Sequence, residues 1–264
     1  MSRFLQKDSY GIGDLLAIVA LLRDKQEGCP WDLAQTHESI RQNFIEETYE
    51  AVDAIDLQDR ALLQEELGDV LLQVVLHSQM EAEEGQFSFD AVCDGVCKKL
   101  ILRHPHIFGG GKGASAQEVL QNWDEIKKIE KGQKTGADAV LAVPAALPAL
   151  MRAQKVQKRA GKAGADLPDK ALAADAVWDA AGALRSALEK GEGEQEALGA
   201  LLFSAVAAAR FAGCDAEEAL TRATDAFTRR FVAMEQLAAG QGAQLSQLDG
   251  EEKRALWERA GPTG

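Results

Sequence analysis

A nine-residue segment of this chain occurs twice. Gln64-Glu65-Glu66-Leu67-Gly68-Asp69-Val70-Leu71-Leu72 returns as Gln195-Glu196-Ala197-Leu198-Gly199-Ala200-Leu201-Leu202-Phe203, 131 positions on (64 to 195). A repeat at that distance in 264 residues implies two copies of one structural unit, each large enough to bury its own apolar face. The repeated stretch also reveals what the unit is made of. Leu63, Leu67, Val70, Leu71, Val74 and Val75 recur at helical spacing as a wide apolar band. With 46% hydrophobic residues, only 6% aromatics and much Ala and Leu, the composition favours helices over sheets. The expected fold class is all-α, in tandem helical bundles.

The rest of the chain is punctuated accordingly. A first helix is expected over 11–26, with Leu15, Ile18, Val19 and Leu22 on one stripe, stopping at Gly28-Cys29-Pro30. The proline makes Cys29-Pro30-Trp31-Asp32 a loop, after which Thr36 can cap a second helix running to about 57. A third helix spans 59–84 and stops at Gly85; a fourth runs from 88 to 103. His104-Pro105-His106-Ile107-Phe108 and the three glycines after it must leave the helix. Ser115 and Glu118 have the spacing of a capping box for a fifth helix to about 131. The period is lost between Gly132 and Pro148. The expected organisation is a first domain over 1–135, a linker over 136–148 and a second copy over 149–264, with helices near 149–162, 168–190, 195–212, 215–239 and 248–259.

The net charge of −13 repels nucleic acid polymers and anionic membranes, so an anionic small molecule would need a bound cation to approach. Cys29, Cys93, Cys97 and Cys214 are too few and scattered for a disulfide scaffold. The longest apolar run near the start, residues 15–22, is bracketed by Asp14 and Arg23 and is too short to cross a bilayer. A cytoplasmic protein with no membrane partner is expected.

Charge is concentrated in one place. From Glu46 to Asp69 there are nine acids (46, 47, 50, 53, 56, 59, 65, 66, 69) and one base, Arg60. Like charges three or four apart on a helix cost roughly 0.2–0.5 kcal/mol per pair, with almost nothing here to offset them. Glu47 and Glu50 share a face of the second helix, as do Glu66 and Asp69 on the third. If the short connection near 57 folds these helices antiparallel, four carboxylates converge, a donor set that suits Mg²⁺ or Mn²⁺. The repeat sharpens this: the second copy places Ala197 and Ala200 opposite Glu66 and Asp69 and, two residues out of step, Ala180 and Ala183 opposite Glu47 and Glu50. Packing needs common to both copies would have kept the acids in both, so they read as equipment of the first copy alone. Gly68 costs about 1 kcal/mol against Ala in a helix, tolerable where a backbone or ligand approaches closely.

Cys29-Pro30-Trp31-Asp32, Glu46-Glu47-x-x-Glu50, Glu66-Leu67-Gly68-Asp69, Arg103-His104-Pro105-His106-Ile107-Phe108 and Trp123 with Ile126-Lys127 together resemble the MazG family of nucleoside triphosphate pyrophosphohydrolases. The resemblance continues through residues 147–155 and Phe227-x-Arg229-Arg230-Phe231, as in two-copy members. It implies a helical bundle that forms a homodimer and hydrolyses nucleoside triphosphates to monophosphate and pyrophosphate. Glu47, Glu50, Glu66 and Asp69 would ligate Mg²⁺, with Glu46 as a supporting acid or water-orienting base. Lys99, Arg103, Lys127 and Lys128 are candidates for the remaining phosphate charge, and Trp31 either stacks on a base or anchors its loop. The chain departs from the two-copy pattern in lacking all four ligands in its second half. That half is expected to be structural or dimerising, with Arg229 and Arg230 as candidates to assist with phosphate. Such loss also leaves a rival reading open, a helical regulator without chemistry.

Two other chemistries fit poorly. Cys93, Cys97, His104 and His106 do not have the spacing of a zinc finger, and none of the four histidines follows a Glu by three, as a carboxylate-bridged di-iron bundle requires.

Overall fold

The computed structural model describes residues 6–109, 126, 132 and 134–261; within them it is helical throughout, with no strand. The chain divides into two compact units, Met1–Ile126 and Lys127–Gly264.

In the first unit, α1 (Ile12–Leu22), α2 (Pro30–Ala34), α3 (Arg41–Asp56), α4 (Arg60–Glu83), α5 (Phe89–Arg103) and α6 (Pro105–Phe108) follow in order. The heart of the unit is the hairpin of α3 and α4, closed by residues 57–59. Gln58 takes the left-handed backbone (φ 56°), the one non-glycine described residue to do so, and Asp59 caps α4 by accepting from the Ala61 and Leu62 amides at 2.9 and 3.1 Å. The core of Val19, Ile40, Val75, Leu76 and Met80 binds α1 to the C-terminal half of α4, with Leu15, Leu16, Leu72 and Phe89 packed against it. The acid-bearing N-terminal half of α4 lies beyond this core and pairs with α3. Arg23, 8% exposed, fastens the far end: its Nε and Nη2 each donate to a Glu83 carboxylate oxygen at 2.9 Å, while Nη1 donates to the Asp32 carbonyl below α2.

Several boundaries differ from the sequence reading. α1 ends at Leu22, four residues early, because the chain folds back so that the Gly28 and Cys29 amides reach the Asp24 and Leu22 carbonyls at 2.8 Å. Cys29-Pro30-Trp31-Asp32 opens a helix instead of forming a loop, since proline at the first helical position gives up an amide that would be unpaired anyway. Thr36 caps no helix. It exchanges hydrogen bonds with Ser39 in a turn, and α3 begins five residues later, at Arg41. The segment after His104 makes one more helical turn, α6, again opened by proline. The expected fifth helix, opened by Ser115 and Glu118, lies outside the described residues.

The second unit holds α7 (Gly136–Leu141), α8 (Ala149–Lys162), α9 (Lys170–Lys190), α10 (Glu194–Ala212), α11 (Ala216–Gly240), a 3-10 turn (Leu245–Gln247) and α12 (Gly250–Arg259). Residues 136–141, read as linker, form a helix because Thr135 and Asp138 close a capping box, and the Arg159 guanidinium of α8 ties the Ala139 carbonyl to it. The repeat is plain in the fold. α9 and α10 form the same kind of hairpin as α3 and α4, turning through Gly191 and Gly193 in the left-handed region, and α10 carries the echoed segment that α4 carries in the first unit. A second core, of Met234, Ala238 and Leu256, joins α11 to α12.

Candidate functional site

Ala51 and Ala54 on α3 are 8% and 0% exposed, and with Phe44 and Glu47 they form one stripe at helical spacing. Small residues there let the backbones of α3 and α4 approach closely. The register is antiparallel. The Phe44 ring lies 5.7 Å from that of His77, while further along α3 the Glu47 carboxylate meets Glu66 and Asp69. One oxygen from each of Glu47, Glu66 and Asp69 lies within 4.8 Å of the other two, and this is the single such group of potential metal ligands among the described residues. Glu50 completes the set, near enough for its charge to act on both Glu47 and Glu66. All four acids read as ligands from sequence are thus gathered in one seam.

Their electrostatics reflect the crowding. Desolvation raises the Glu47 carboxyl above the usual value, reinforced by the charges of Asp69, Glu50 and Glu66. Glu66, at 9% exposure the most buried of the four, is raised by desolvation and then by Glu50, Glu65 and Asp69. Among the described residues no Lys or Arg acts on either carboxyl, so the described part of the cluster is short of positive charge. Three carboxylate oxygens at this separation, with a fourth acid beside them, could hold a small hard cation.

The remaining candidates are dispersed. Glu46 stands exposed on the flank of α3, accepting from Gln42 Nε2 at 3.3 Å, one residue from Glu47 but outside the group of close oxygens. Trp31 sits on α2 with its ring 62% exposed, so it does not anchor a core in this unit. Lys99 is exposed on α5, whereas Arg103 at the end of the same helix is buried, at 8% exposure. Lys127 and Lys128 lie outside the described residues. In the second unit Arg230 lies over the Trp257 ring at 4.1 Å and donates to the Trp257 carbonyl, a structural use of its charge, while Arg229 is exposed. Among the described residues nothing approaches Gly68 closely: an added Cβ would meet no atom within 4 Å.

Sequence reasoning passed over the histidines beside this seam. His37 and His77 stack at 5.0 Å with their Nδ1 atoms 2.7 Å apart, and His37 Nε2 lies 2.9 Å from Glu81. Forty residues separate the two rings in sequence and no period links them, so only the packing of the 36–40 turn on α4 brings them together.

Fold and site define an all-α protein built on a helical hairpin with a carboxylate-lined seam. The chain belongs to the MazG family. A model of the MazG nucleotide pyrophosphohydrolase domain matches residues 35–108, which span α3 to α6 and hold all four clustered acids. The chain is 40% identical over 253 residues to a nucleoside triphosphate pyrophosphohydrolase of Escherichia coli, covering 94% of this chain and 96% of that one. It is equally similar, 40% over 247 residues, to the nucleoside triphosphate pyrophosphohydrolase/pyrophosphatase MazG of Thermotoga maritima, with 94% of each covered. A Mycobacterium tuberculosis nucleoside triphosphate pyrophosphohydrolase is 38% identical over 181 residues, 66% of this chain and 54% of that one.

Proposed function

We propose that this chain hydrolyses nucleoside triphosphates to nucleoside monophosphate and pyrophosphate, using Mg²⁺ or Mn²⁺ held by Glu47, Glu50, Glu66 and Asp69. The observation that carries the reading is the seam itself: four carboxylates converge there with no cationic side chain among the described residues to balance them. The names of its full-length relatives supply the substrate class. A divalent cation bound there would neutralise phosphate oxygens and lower the pKa of an attacking water. The chain's own part is to hold the ligands rigid. Ala51 and Ala54 set the distance between the helices, Asp59 fixes the hairpin, and the core around Val75 fixes α4. Glu46, one turn before Glu50 on the outer side of α3, serves as supporting acid or water-orienting base, and Lys99 is the described cation available for phosphate.

The working form is a homodimer. Ile45, Tyr49, Val52 and Ile55 on α3 are 43–57% exposed, and Leu67 on α4 is 54% exposed. An apolar face of that extent on a two-helix hairpin is half of a four-helix bundle, completed by a second hairpin. The second unit, whose hairpin presents Ala in place of the acids, is structural or dimerising.

A product assay on the purified chain tests the reading: a panel of nucleoside triphosphates with and without Mg²⁺, separating pyrophosphate from orthophosphate. Metal-dependent pyrophosphate with the matching monophosphate is the expected result. No turnover from folded protein would favour the helical regulator instead.

A further inference from the structure

We propose that Gln73 is a positioning residue for the cation site, its side-chain carbonyl accepting a hydrogen bond from the hydration shell of the ion. The inference rests on the cation reading above and adds to it a residue outside the carboxylate set. Glu66, Asp69 and Gln73 fall at i, i+3 and i+7 on α4, one stripe of one helix. The register places Gln73 in the seam, because its neighbours on that stripe are both engaged there: Asp69 with Glu47, and His77 with Phe44. Helical side chains lean toward the N-terminus, so the amide of Gln73 lies over the turn that carries Asp69.

Gln73 is 6% exposed, and its Oε1 is sealed from solvent without a hydrogen-bond partner. A buried carbonyl left unpaired destabilises a fold, so it calls for a donor that the described residues do not supply. Small hard cations keep part of their water, and such polarised waters need acceptors beyond the ligands themselves. Gln157 makes the contrast. Its Oε1 is also unpaired, but its Nε2 donates to the Phe203 carbonyl at 2.8 Å, which gives that residue a structural use. The repeat agrees: 131 positions on, where the acids have become alanines, Gln73 has become Ser204.

Titration calorimetry of the full chain with Mn²⁺, alongside metal-free melting, separates this role from packing. Gln73→Met is expected to weaken Mn²⁺ binding by about tenfold or more, with a metal-free melting temperature at or above that of the parent chain. Gln73→Glu, which keeps an acceptor oxygen, is expected to bind as the parent chain does. Undiminished binding by the Met variant, or lost binding by a folded Glu variant, would overturn the inference alone. Failure of the unaltered chain to bind Mn²⁺ would instead overturn the cation reading, and this inference with it.

Discussion

Glu47 and Glu66 lose solvation and gain repulsion from their acidic neighbours, so the seam is costly to the metal-free chain. Removing one acid should therefore cost activity and leave the fold intact. Glu50→Ala and Asp69→Ala are expected to lower turnover by more than about a hundredfold, with the circular dichroism of the parent chain. Loss of helical signal in both would mean that the acids hold the hairpin together instead. The pH dependence has a definite sign. Glu47 and Glu66 titrate above the ordinary value of 4.5, so the fold favours their protonated forms, and each contributes stability at low pH that is lost as the pH rises through its raised pKa. The metal-free chain should accordingly become less stable as the pH climbs above 4.5. A bound cation displaces those protons. Calorimetry in buffers of different ionisation enthalpy should then detect proton release on metal binding at mildly acidic pH, more than at neutral pH. Equal release at both would place the carboxyl groups at ordinary values.

The hairpin of α3 and α4 is the element on which the site depends, and its precision comes from its two ends. At the turn, Asp59 satisfies two orphan amides of α4. Asp59→Ala is expected to cost about 1 kcal/mol, read as a shifted denaturation midpoint. At the opposite end of α4, the Arg23 guanidinium is nearly buried and engages Glu83 with two hydrogen bonds while holding the chain near α2. Arg23→Ala strands a carboxylate that is itself 24% exposed, takes the donor from the part-buried Asp32 carbonyl, and should cost about 3 kcal/mol. That loss should exceed the one at Asp59 in the same denaturation series. Both changes lie away from the cluster, so the folded fraction should still bind metal. Within the same hairpin, Gly68 faces open space, and Gly68→Ala would add roughly 1 kcal/mol of helix stability. Destabilisation instead would show that a second chain packs against that position.

At the scale of the whole molecule, one chain carries two versions of a hairpin, with the clustered acids of the first replaced by alanines in the second. The echo between α4 and α10 was readable from residues alone, as were the helices around it. α8 follows its expected bounds of 149–162, and α4, α5, α9, α10 and α11 lie within two residues of theirs. The exposed apolar stripe on α3 predicts an assembly of twice 28.4 kDa. Sedimentation should show it, and Tyr49→Glu with Val52→Glu should shift the mass to that of one chain while leaving the hairpin helical. No single helix among the described residues is long and apolar enough to cross a membrane.

The sequence by itself determined the helical class, the duplication and the four acids of the seam, because period and spacing are local properties and a repeat within one chain exposes what each copy has lost. It missed the helices α2 and α6 and began α3 too early, where proline at a helix start or a Thr36–Ser39 exchange competes with the simpler rules for loops and caps. Only tertiary structure decided which side chains meet. The antiparallel register of α3 on α4 brought Glu47 against Glu66 and Asp69 and enclosed Gln73 without a partner. The fold of the 36–40 turn stacked His37 on His77, and the Trp257 ring occupied Arg230. These contacts join residues far apart in the chain, and their geometry is set by how closely two helices can approach. That distance is fixed by the small side chains buried between them.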